Sequence, residues 1–351
     1  MFGADKFPMA PQLKEKSVSD TPKSPEQRLG RDLVKKRRTL EGSPQGFGDG
    51  RKWIPFQMMD PAMRLIRRAL SMTGAYKPLT RKVTRIHVVE NAVFLRDVGR
   101  SLSGLRILHL SDIHIDGAPG LGERLAAKCA ELQFDLAVIT GDLRLEIRGE
   151  FETVMNEMRP LMSVLRQCPL GVFGVLGNHD EISMVKPLED MGMQYLLNES
   201  THVDVGGEKL HIAGVDDAHF FGTDDIDEAL GNVPVNEPCL FLCHSPDLIY
   251  EAAALECDFY LCGHTHGGQI CLPGGNPVFS NASVSRRFCT GSWILNGMRG
   301  YTSRGIGFSG IPFRSYCNAE LIVHTINPER RDIKRIQEEE IAEEELYHDD
   351  K

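Results

Sequence analysis

Long apolar runs are missing from this sequence of 351 residues. No stretch approaches 18 consecutive apolar residues, which argues against a membrane-spanning helix. The first residues, MFGADKFPMAPQLKEK, lack the apolar core of a secretory signal. Matched cysteine pairs are also missing: the nine cysteines all follow residue 100, in a pattern that is unlike a zinc ribbon or a disulfide framework. We therefore expect a cytoplasmic protein with reduced thiols.

Acidic residues are scarce in the first 100 residues, which hold 21 Lys and Arg against 10 Asp and Glu, whereas the remaining 251 hold 19 against 39. We divide the chain into a basic, largely disordered N-terminal arm (1–80), a body (81–330) and an acidic tail (331–351). The arm is either a solvated tail or a segment attracted to the phosphates of an anionic membrane surface. Because it lacks interleaved aromatic residues, nucleic acid is not an expected partner.

Two helices are predicted within the arm. One is a short helix around Gln27–Arg38. The other covers residues 61–73, where apolar residues alternate at helical spacing with three arginines. A basic amphipathic helix of this kind suits peripheral contact with the inner face of a membrane. The alternative is a helix that docks on the body with its arginines in solvent.

Regular structure is predicted from about Val83 onward. Thr84–Val88 and Ala92–Leu95 suggest a hairpin that turns at Glu90 and Asn91. Five later apolar runs, with helical segments between them, each end directly in a polar turn. Short, near-continuous apolar strands are typical of sheets buried on both faces, and their alternation with helices indicates an α/β fold. The five turns contain Ser111–His114, Gly141–Asp142, Gly177–Asp180, His244 and Gly263–His266.

The side chains in these turns suit metal-assisted hydrolysis. Ligands of open α/β sheets bind at the carboxyl ends of the strands, so the five turns are expected to converge on one rim. Imidazole and carboxylate groups without thiolate suit Mn²⁺, Fe or Zn²⁺. Asp142 stands alone in its turn and is the natural bridge between two ions. Asp112 and His114 are two residues apart, as are His264 and His266, so each pair can face one ion. Two ions would make hydroxide available as the nucleophile near neutral pH.

The sequence resembles the calcineurin-like metallophosphoesterases, whose pattern is D-x-H, G-D, G-N-H-D/E, a later H, and G-H-x-H. All five blocks occur in order, as DIH, GD, GNHD, CHSPD and GHTH. The resemblance implies two packed mixed β-sheets flanked by helices, a four-layer αββα sandwich. It also implies two divalent metal ions, with Mn²⁺ as the first candidate and Fe or Zn²⁺ as alternatives. The implied ligands are Asp112, His114 and His266 for the first metal, Asp142 as the bridge, and Asn178, His244 and His264 for the second.

His179 is not a ligand in this pattern. The resemblance implies that it protonates the leaving-group oxygen or contacts the phosphoryl group, a task suited to a group whose pKa lies near neutrality. Asp180 either orients His179 or caps a helix. Arg144 and His219 are weaker candidates for substrate contact, and His109 is interpreted as a core histidine.

The extended block GHTHGGQICLPGG resembles a subgroup that is often membrane-associated and includes enzymes that cleave the pyrophosphate of UDP-2,3-diacylglucosamine. The predicted function is hydrolysis of a phosphodiester or pyrophosphate by metal-bound hydroxide, with this lipid-linked nucleotide as one candidate substrate. The alternative is a soluble small substrate such as a cyclic nucleotide. A Ser/Thr protein phosphatase is disfavoured, because that subgroup usually reads GDxxDRG and GNHE. A non-catalytic scaffold would lack ligands, and all are present. The sequence leaves the oligomeric state open.

Overall fold

The computed structural model describes residues 23–42, 56–96, 98–278 and 282–329, with side chains from Met63 onward in the second range. The described α-helices are α1 (Pro25–Arg28), α2 (Arg31–Gly42), α3 (Phe56–Met72), α4 (Tyr76–Val83), α5 (Leu121–Ala130), α6 (Glu152–Leu165), α7 (Val185–Glu189), α8 (Ile226–Leu230) and α9 (Ile249–Ala254). The described strands are β1 (His87–Leu95), β2 (Arg106–Leu110), β3 (Leu136–Ile139), β4 (Val172–Gly174), β5 (Met193–Tyr195), β6 (Glu199–Val205), β7 (Glu208–Gly214), β8 (Cys239–Leu242), β9 (Phe259–Cys262), β10 (Gly291–Leu295), β11 (Met298–Thr302) and β12 (Glu320–Pro328).

The strands form two mixed sheets of six strands each. The first sheet has the order β1-β12-β2-β3-β4-β5, in which β12 and β2 are antiparallel and the other neighbours are parallel. The second has the order β10-β11-β9-β8-β7-β6, with antiparallel pairs at both edges and parallel strands in the middle. The predicted α/β fold with two mixed sheets is confirmed.

The two sheets and the helices on their outer faces form four layers, because the side chains of each strand point alternately to the two faces of its sheet. Ile107 faces a core between the two sheets, whereas its neighbour Leu108 faces a second core beneath α5, α6 and α7. Leu240 likewise faces the inter-sheet core, and Phe241 faces a third core beneath α8 and α9. Since successive side chains of a strand point to opposite faces, apolar residues at nearly every position cover both faces of each sheet. The helices are thereby held on the outer faces.

The hairpin predicted between residues 84 and 95 is wrong, because β1 continues through Glu90 and Asn91 and pairs with β12 in parallel. The Asn91 side chain takes part in the packing instead of turning to solvent. Its amide nitrogen lies 2.9 Å from Nδ1 of His324, and its carbonyl oxygen accepts a hydrogen bond from Ser292. A polar residue with such partners does not interrupt a strand.

Part of the basic arm is folded. Leu29 and Val34, at the end of α1 and in α2, are buried in the core on the helix-covered face of the first sheet. Arg28 donates hydrogen bonds to the Glu199 carboxylate and to the backbone oxygen of Tyr195. Two helices, α1 and α2, occur where one helix was expected around Gln27–Arg38. Residues 23–42 differ from the expected largely disordered arm, because Leu29 and Val34 are buried against the body.

The rest of the predicted division remains an expectation, since residues 1–22, residues 43–55 and the acidic tail 331–351 lie outside the described residues. The helix predicted at 61–73 corresponds to α3, which docks on the body through Arg67, itself only 8% exposed. Among the helices of the described ranges, none is long and apolar enough to cross a membrane.

Candidate metal centre

The five polar turns meet at one rim of the molecule, at the carboxyl ends of β2, β3 and β4 of the first sheet and of β8 and β9 of the second. In the described part of the chain, three groups of side chains place potential ligand atoms within 4.8 Å of one another. The groups are Asp112, His114 and His266; His114, Asp142 and His179; and Asp142, His244 and His264. Shared members join the three groups into one continuous centre.

The first group joins the turn after β2 to the turn after β9. Nε2 of His266 lies 3.4 Å from Oδ1 of Asp112 and 3.1 Å from Nε2 of His114. All three side chains are nearly inaccessible to solvent. One carboxylate and two imidazoles that face one another suit a divalent transition-metal ion.

Asp142 lies in the middle of the centre. Its Oδ2 atom is 3.8 Å from Nε2 of His114 on one side and 3.4 Å from Nε2 of His244 on the other. A carboxylate between two sets of imidazoles is placed to bridge two ions, the role expected for this residue.

The neutral amide of Asn178 lies beside the third group, which contains Asp142, His244 and His264. Nε2 of His244 lies 3.1 Å from Oδ1 of Asn178 and 3.2 Å from Nδ1 of His264. The structure therefore brings together all seven residues for which a ligand role was predicted.

Glycines in these turns allow close backbone contact. A Cβ atom added at Gly177 would lie 2.2 Å from Oδ1 of Asp142, and one at Gly263 would lie 2.1 Å from Oδ2 of Asp112. Backbone strain also concentrates here, as is common at functional sites. The candidate ligands with positive φ are Asp112, His114, Asp142, His264 and His266.

Burial and neighbouring charges set the protonation of the centre. Burial raises the pKa of Asp142, but the charges of His244 and His179 outweigh it and hold that pKa well below 3.8. Burial lowers the pKa of His114 to about 3 and that of His266 well below 6.5. Burial also lowers the pKa of His244, yet the Asp142 carboxylate raises it to about 10. An ionised carboxylate beside neutral imidazoles fits a cation, whose binding at His244 would displace a proton.

Backbone oxygens orient three of the histidine rings. Nδ1 of His114 lies 2.6 Å from the oxygen of Arg144, and Nδ1 of His244 lies 2.7 Å from that of Thr140. Nδ1 of His179 lies 2.8 Å from the oxygen of Leu145. Because a carbonyl oxygen only accepts, each Nδ1 carries the proton and each Nε2 faces the centre.

Neither role expected for Asp180 matches its contacts. Its buried carboxylate accepts hydrogen bonds from the backbone N–H groups of Asp142 (2.8 Å), Leu143 (2.8 Å) and Gly177 (2.9 Å). These contacts include neither the His179 ring nor the backbone of the 3-10 helix that follows, whose N-cap is Glu181. Three backbone donors satisfy the carboxylate, so Asp180 joins the turn after β3 to the turn after β4.

Arg144 and His219, the weaker candidates for substrate contact, are both buried. Arg144 is buried, with its guanidinium on Glu181 and on the backbone oxygen of Gly149. His219 is buried between the Asp247 carboxylate, which contacts its Nδ1, and the His264 ring at 4.1 Å between centroids. Contacts within the protein therefore hold both side chains in place, and their contact with substrate stays a prediction.

His109 fits its interpretation as a core histidine: it is fully buried, and its Nε2 lies 2.9 Å from the Thr140 hydroxyl. Arg314 was not singled out from the sequence, although its Nη2 lies 3.2 Å from Nδ1 of His266 and donates to the backbone oxygen of Gly307 at 2.6 Å. It follows no strand and belongs to none of the five blocks, so no sequence signal marked it.

Comparisons with known proteins match the part of the chain that carries this centre. Residues 105–268 match the family model for calcineurin-like phosphoesterase. The uncharacterized metallophosphoesterase YkoQ of Bacillus subtilis is 26% identical over 230 residues, which are 63% of this chain and 83% of YkoQ. A transmembrane protein with metallophosphoesterase domain from Danio rerio is 28% identical over 255 residues, 67% of this chain and 56% of that protein. The phosphopantetheinyl hydrolase structure from Mycobacterium tuberculosis aligns over 57% of this chain and 89% of its own, with 11% identity and a TM-score of 0.37, a likeness too low to inform on function.

Proposed function

We propose that this chain, whose residues 105–268 match the family model for calcineurin-like phosphoesterase, is a metal-dependent phosphoester hydrolase that cleaves a phosphodiester or pyrophosphate with two divalent ions. The observation that carries the proposal is the sharing of side chains between the ligand groups. Asp142 belongs to two of the three groups and His114 to two. Such sharing suits a pair of neighbouring ions better than one isolated ion.

We propose that the seven candidate ligands divide between two ions as the family resemblance implies. Asp112, His114 and His266 would hold one ion, and Asn178, His244 and His264 the other, with Asp142 between them. Mn²⁺ is the first candidate, and Fe or Zn²⁺ are the alternatives that this donor set accepts. When bound, two such ions supply an acidified water and positive charge beside the phosphoryl oxygens.

His179 is the group placed to handle a proton. Its Nδ1 is held by the backbone oxygen of Leu145, and its Nε2 lies 3.9 Å from Oδ2 of Asp142. The side chain is 13% exposed, whereas the side chains of His114 and His244 are fully buried. A substrate at the centre can therefore reach His179, which would protonate the leaving-group oxygen or contact the phosphoryl group.

Two substrate classes compete within this reaction. A lipid-linked nucleotide, with UDP-2,3-diacylglucosamine as the named candidate, is favoured by the surface of α3 and α4, which we propose to contact the inner face of an anionic membrane. Residues 63–89 contain seven Lys and Arg and no Asp or Glu, and Leu65 and Met72 are 68% and 89% exposed. Exposed apolar side chains among basic ones suit anionic lipid.

This surface lies close to the centre. Arg67 of α3 donates to the backbone oxygen of Gly310 at 2.6 Å. In the same loop, Gly307 approaches His114 so closely that an added Cβ would lie 2.7 Å from the His114 Cβ. A lipid-linked substrate held in the membrane could thus present its phosphates to the rim. The competing class is a soluble small phosphodiester such as a cyclic nucleotide.

The test is metal-dependent turnover with a matched pair of histidine variants. We expect Mn²⁺-dependent hydrolysis of bis-p-nitrophenyl phosphate, and release of UMP from UDP-2,3-diacylglucosamine at a far higher rate. His179→Ala should keep its metal and lose turnover by about 10²–10⁴-fold. His202→Ala is the control, because the His202 side chain is 43% exposed on an edge strand.

Each outcome decides between the alternatives. Cleavage of the artificial ester alone would remove the lipid-linked nucleotide and leave the soluble class. Unchanged turnover in His179→Ala would remove its assigned role. Cleavage of neither ester by the metal-loaded protein would contradict the proposed substrate classes.

A further inference from the structure

Helix α2 of the N-terminal segment places a buried arginine behind the metal centre. The side chain of Arg37 is 0% exposed, and so is that of its ion-pair partner, Asp216. Nε donates to the Glu41 carboxylate at 3.0 Å, and the guanidinium lies over the Phe221 ring at 4.2 Å from its centroid. A buried guanidinium is costly unless it is paired and hydrogen-bonded, so these contacts define one position for it.

The remaining guanidinium nitrogen of Arg37, Nη2, contacts the loop that carries Asn178 and His179. Nη2 donates to the backbone oxygen of Asp180 at 2.9 Å and to that of Gly177 at 3.3 Å. These two oxygens lie on either side of Asn178 and His179 in the chain. One guanidinium nitrogen therefore holds both ends of the four-residue loop.

Asp216 connects this arrangement to the second sheet. It follows β7, and its second carboxylate oxygen accepts a hydrogen bond from the Thr223 hydroxyl at 2.7 Å. The backbone N–H of Asp216 donates to the Asn198 side chain at 3.0 Å. Because Asp216 is itself fixed, Arg37 links the carboxyl end of β7 in one sheet to the loop after β4 in the other.

The C-terminal part of α2 makes a second contact with the same region. The Glu41 carboxylate accepts a hydrogen bond from the backbone N–H of Ile182 at 2.9 Å, just beyond the loop. Leu40 and Glu41 also line a cleft together with His179, Phe220 and Phe221. The helix thus forms part of the wall beside the proposed proton donor.

We infer that Arg37 of α2 is the positioning residue for Asn178 and His179. The inference rests on the proposed function, since these two residues are assigned there as metal ligand and proton donor. The Asp180 carboxylate joins the loop to the turn after β3, and Arg37 binds the backbone oxygens at the two ends of the loop. Catalytic groups must keep their geometry closely, because a displacement of about 1 Å can cost about 100-fold in rate.

Arg37→Met tests the inference, since methionine keeps much of the apolar volume and removes all donors. We expect bound metal to be retained, kcat on bis-p-nitrophenyl phosphate to fall by about 100-fold, and KM to stay within roughly threefold. Arg37→Lys should recover part of kcat. Arg38→Met is the matched control, because the Arg38 side chain is 58% exposed and forms an ion pair with Glu26.

A double variant separates positioning from charge burial. Arg37→Met with Asp216→Leu removes both buried charges, so it should be more stable than Asp216→Leu alone. It should still turn over slowly, because the two backbone oxygens have lost their donor. Wild-type kcat in Arg37→Met or in the double variant would overturn the inference, and so would loss of bound metal or of folding in both.

Amide hydrogen exchange distinguishes failure of the positioning role of Arg37 from failure of the proposed function. Exchange of residues 177–182, measured without substrate, should be faster in Arg37→Met than in Arg38→Met or the unmodified protein. That result would uphold the positioning role even for a protein that does not cleave the chosen ester. Unchanged exchange in an otherwise active enzyme would overturn the positioning role and leave the proposed function intact.

Discussion

Helices α2 and α3 are both basic, and each has a buried arginine that contacts the body, yet the surroundings of these two arginines differ. Arg37 of α2 and its partner Asp216 are both completely buried. Arg67 of α3 is 10% exposed at its side chain, and its partner Glu146 is 34% exposed. Arg37 contacts both ends of the loop that carries two candidate catalytic residues, whereas Arg67 contacts the backbone oxygen of Gly310.

The difference follows from the solvent around each pair. Water screens a pair with an exposed carboxylate, and such pairs contribute about 0–1 kcal/mol to stability. A pair without water on either side is strongly destabilising to break, since the remaining charge cannot be solvated. We therefore expect α2 to be joined to the body and its function far more strongly than α3.

The largest effect on stability is expected from Asp216→Leu. The change removes the fully buried carboxylate partner of Arg37, although the pair with Glu41 stays, so the free energy of unfolding should fall by about 3–5 kcal/mol. Urea denaturation followed by circular dichroism would measure it. Adding Arg37→Met should restore most of the loss. A loss below about 1 kcal/mol, the level of an exposed pair, would contradict the expected difference between the buried pair of α2 and the partly exposed pair of α3.

Arg67→Met should have a smaller effect. Since the Glu146 partner stays in contact with solvent and also pairs with Arg64 at 3.0 Å, we expect a loss of about 1–2 kcal/mol in the free energy of unfolding. Turnover of bis-p-nitrophenyl phosphate should stay within roughly threefold of the unmodified protein. Arg68→Met, at an exposed position of the same helix, is the control. A 100-fold loss of kcat would contradict the contrast with Arg37.

The rim of the molecule was predictable from the sequence because its signals are local. Each apolar run is followed at once by a turn that contains an aspartate or a histidine, and the carboxyl ends of parallel strands must meet at one edge. The glycines are informative too: at Gly177 and Gly263 a side chain would overlap Asp142 or Asp112. Residue type and position in a strand were therefore enough to bring the candidate ligands together.

Side-chain direction was not predictable. Asp180 follows His179 directly, which suggested contact with that ring, yet its carboxylate faces three backbone N–H groups. Arg37 lies within the run Lys35–Arg38, and nothing in its composition distinguishes the one buried member. The continuous β1 depends on β12, more than 200 residues later in the chain. Pairings and burial of this kind depend on contacts distant in sequence, which no local pattern reports.

The double variant Leu65→Ser with Met72→Ser should have the smallest effect on stability. It is also the most direct test of the surface of α3. These side chains are 68% and 89% exposed, so the free energy of unfolding should change by no more than about 0.5 kcal/mol. If the surface contacts lipid, binding to vesicles of equal parts phosphatidylcholine and phosphatidylglycerol should fall by roughly tenfold, as measured by co-sedimentation at low salt.

Val235→Ser, at a position 72% exposed elsewhere on the body, should bind as the unmodified protein does. High salt should weaken binding of all variants, because the basic residues of α3 and α4 act through screened charges. Equal binding by the double variant and the control, or no binding of the unmodified protein at low salt, would leave α3 as a helix that only docks on the body.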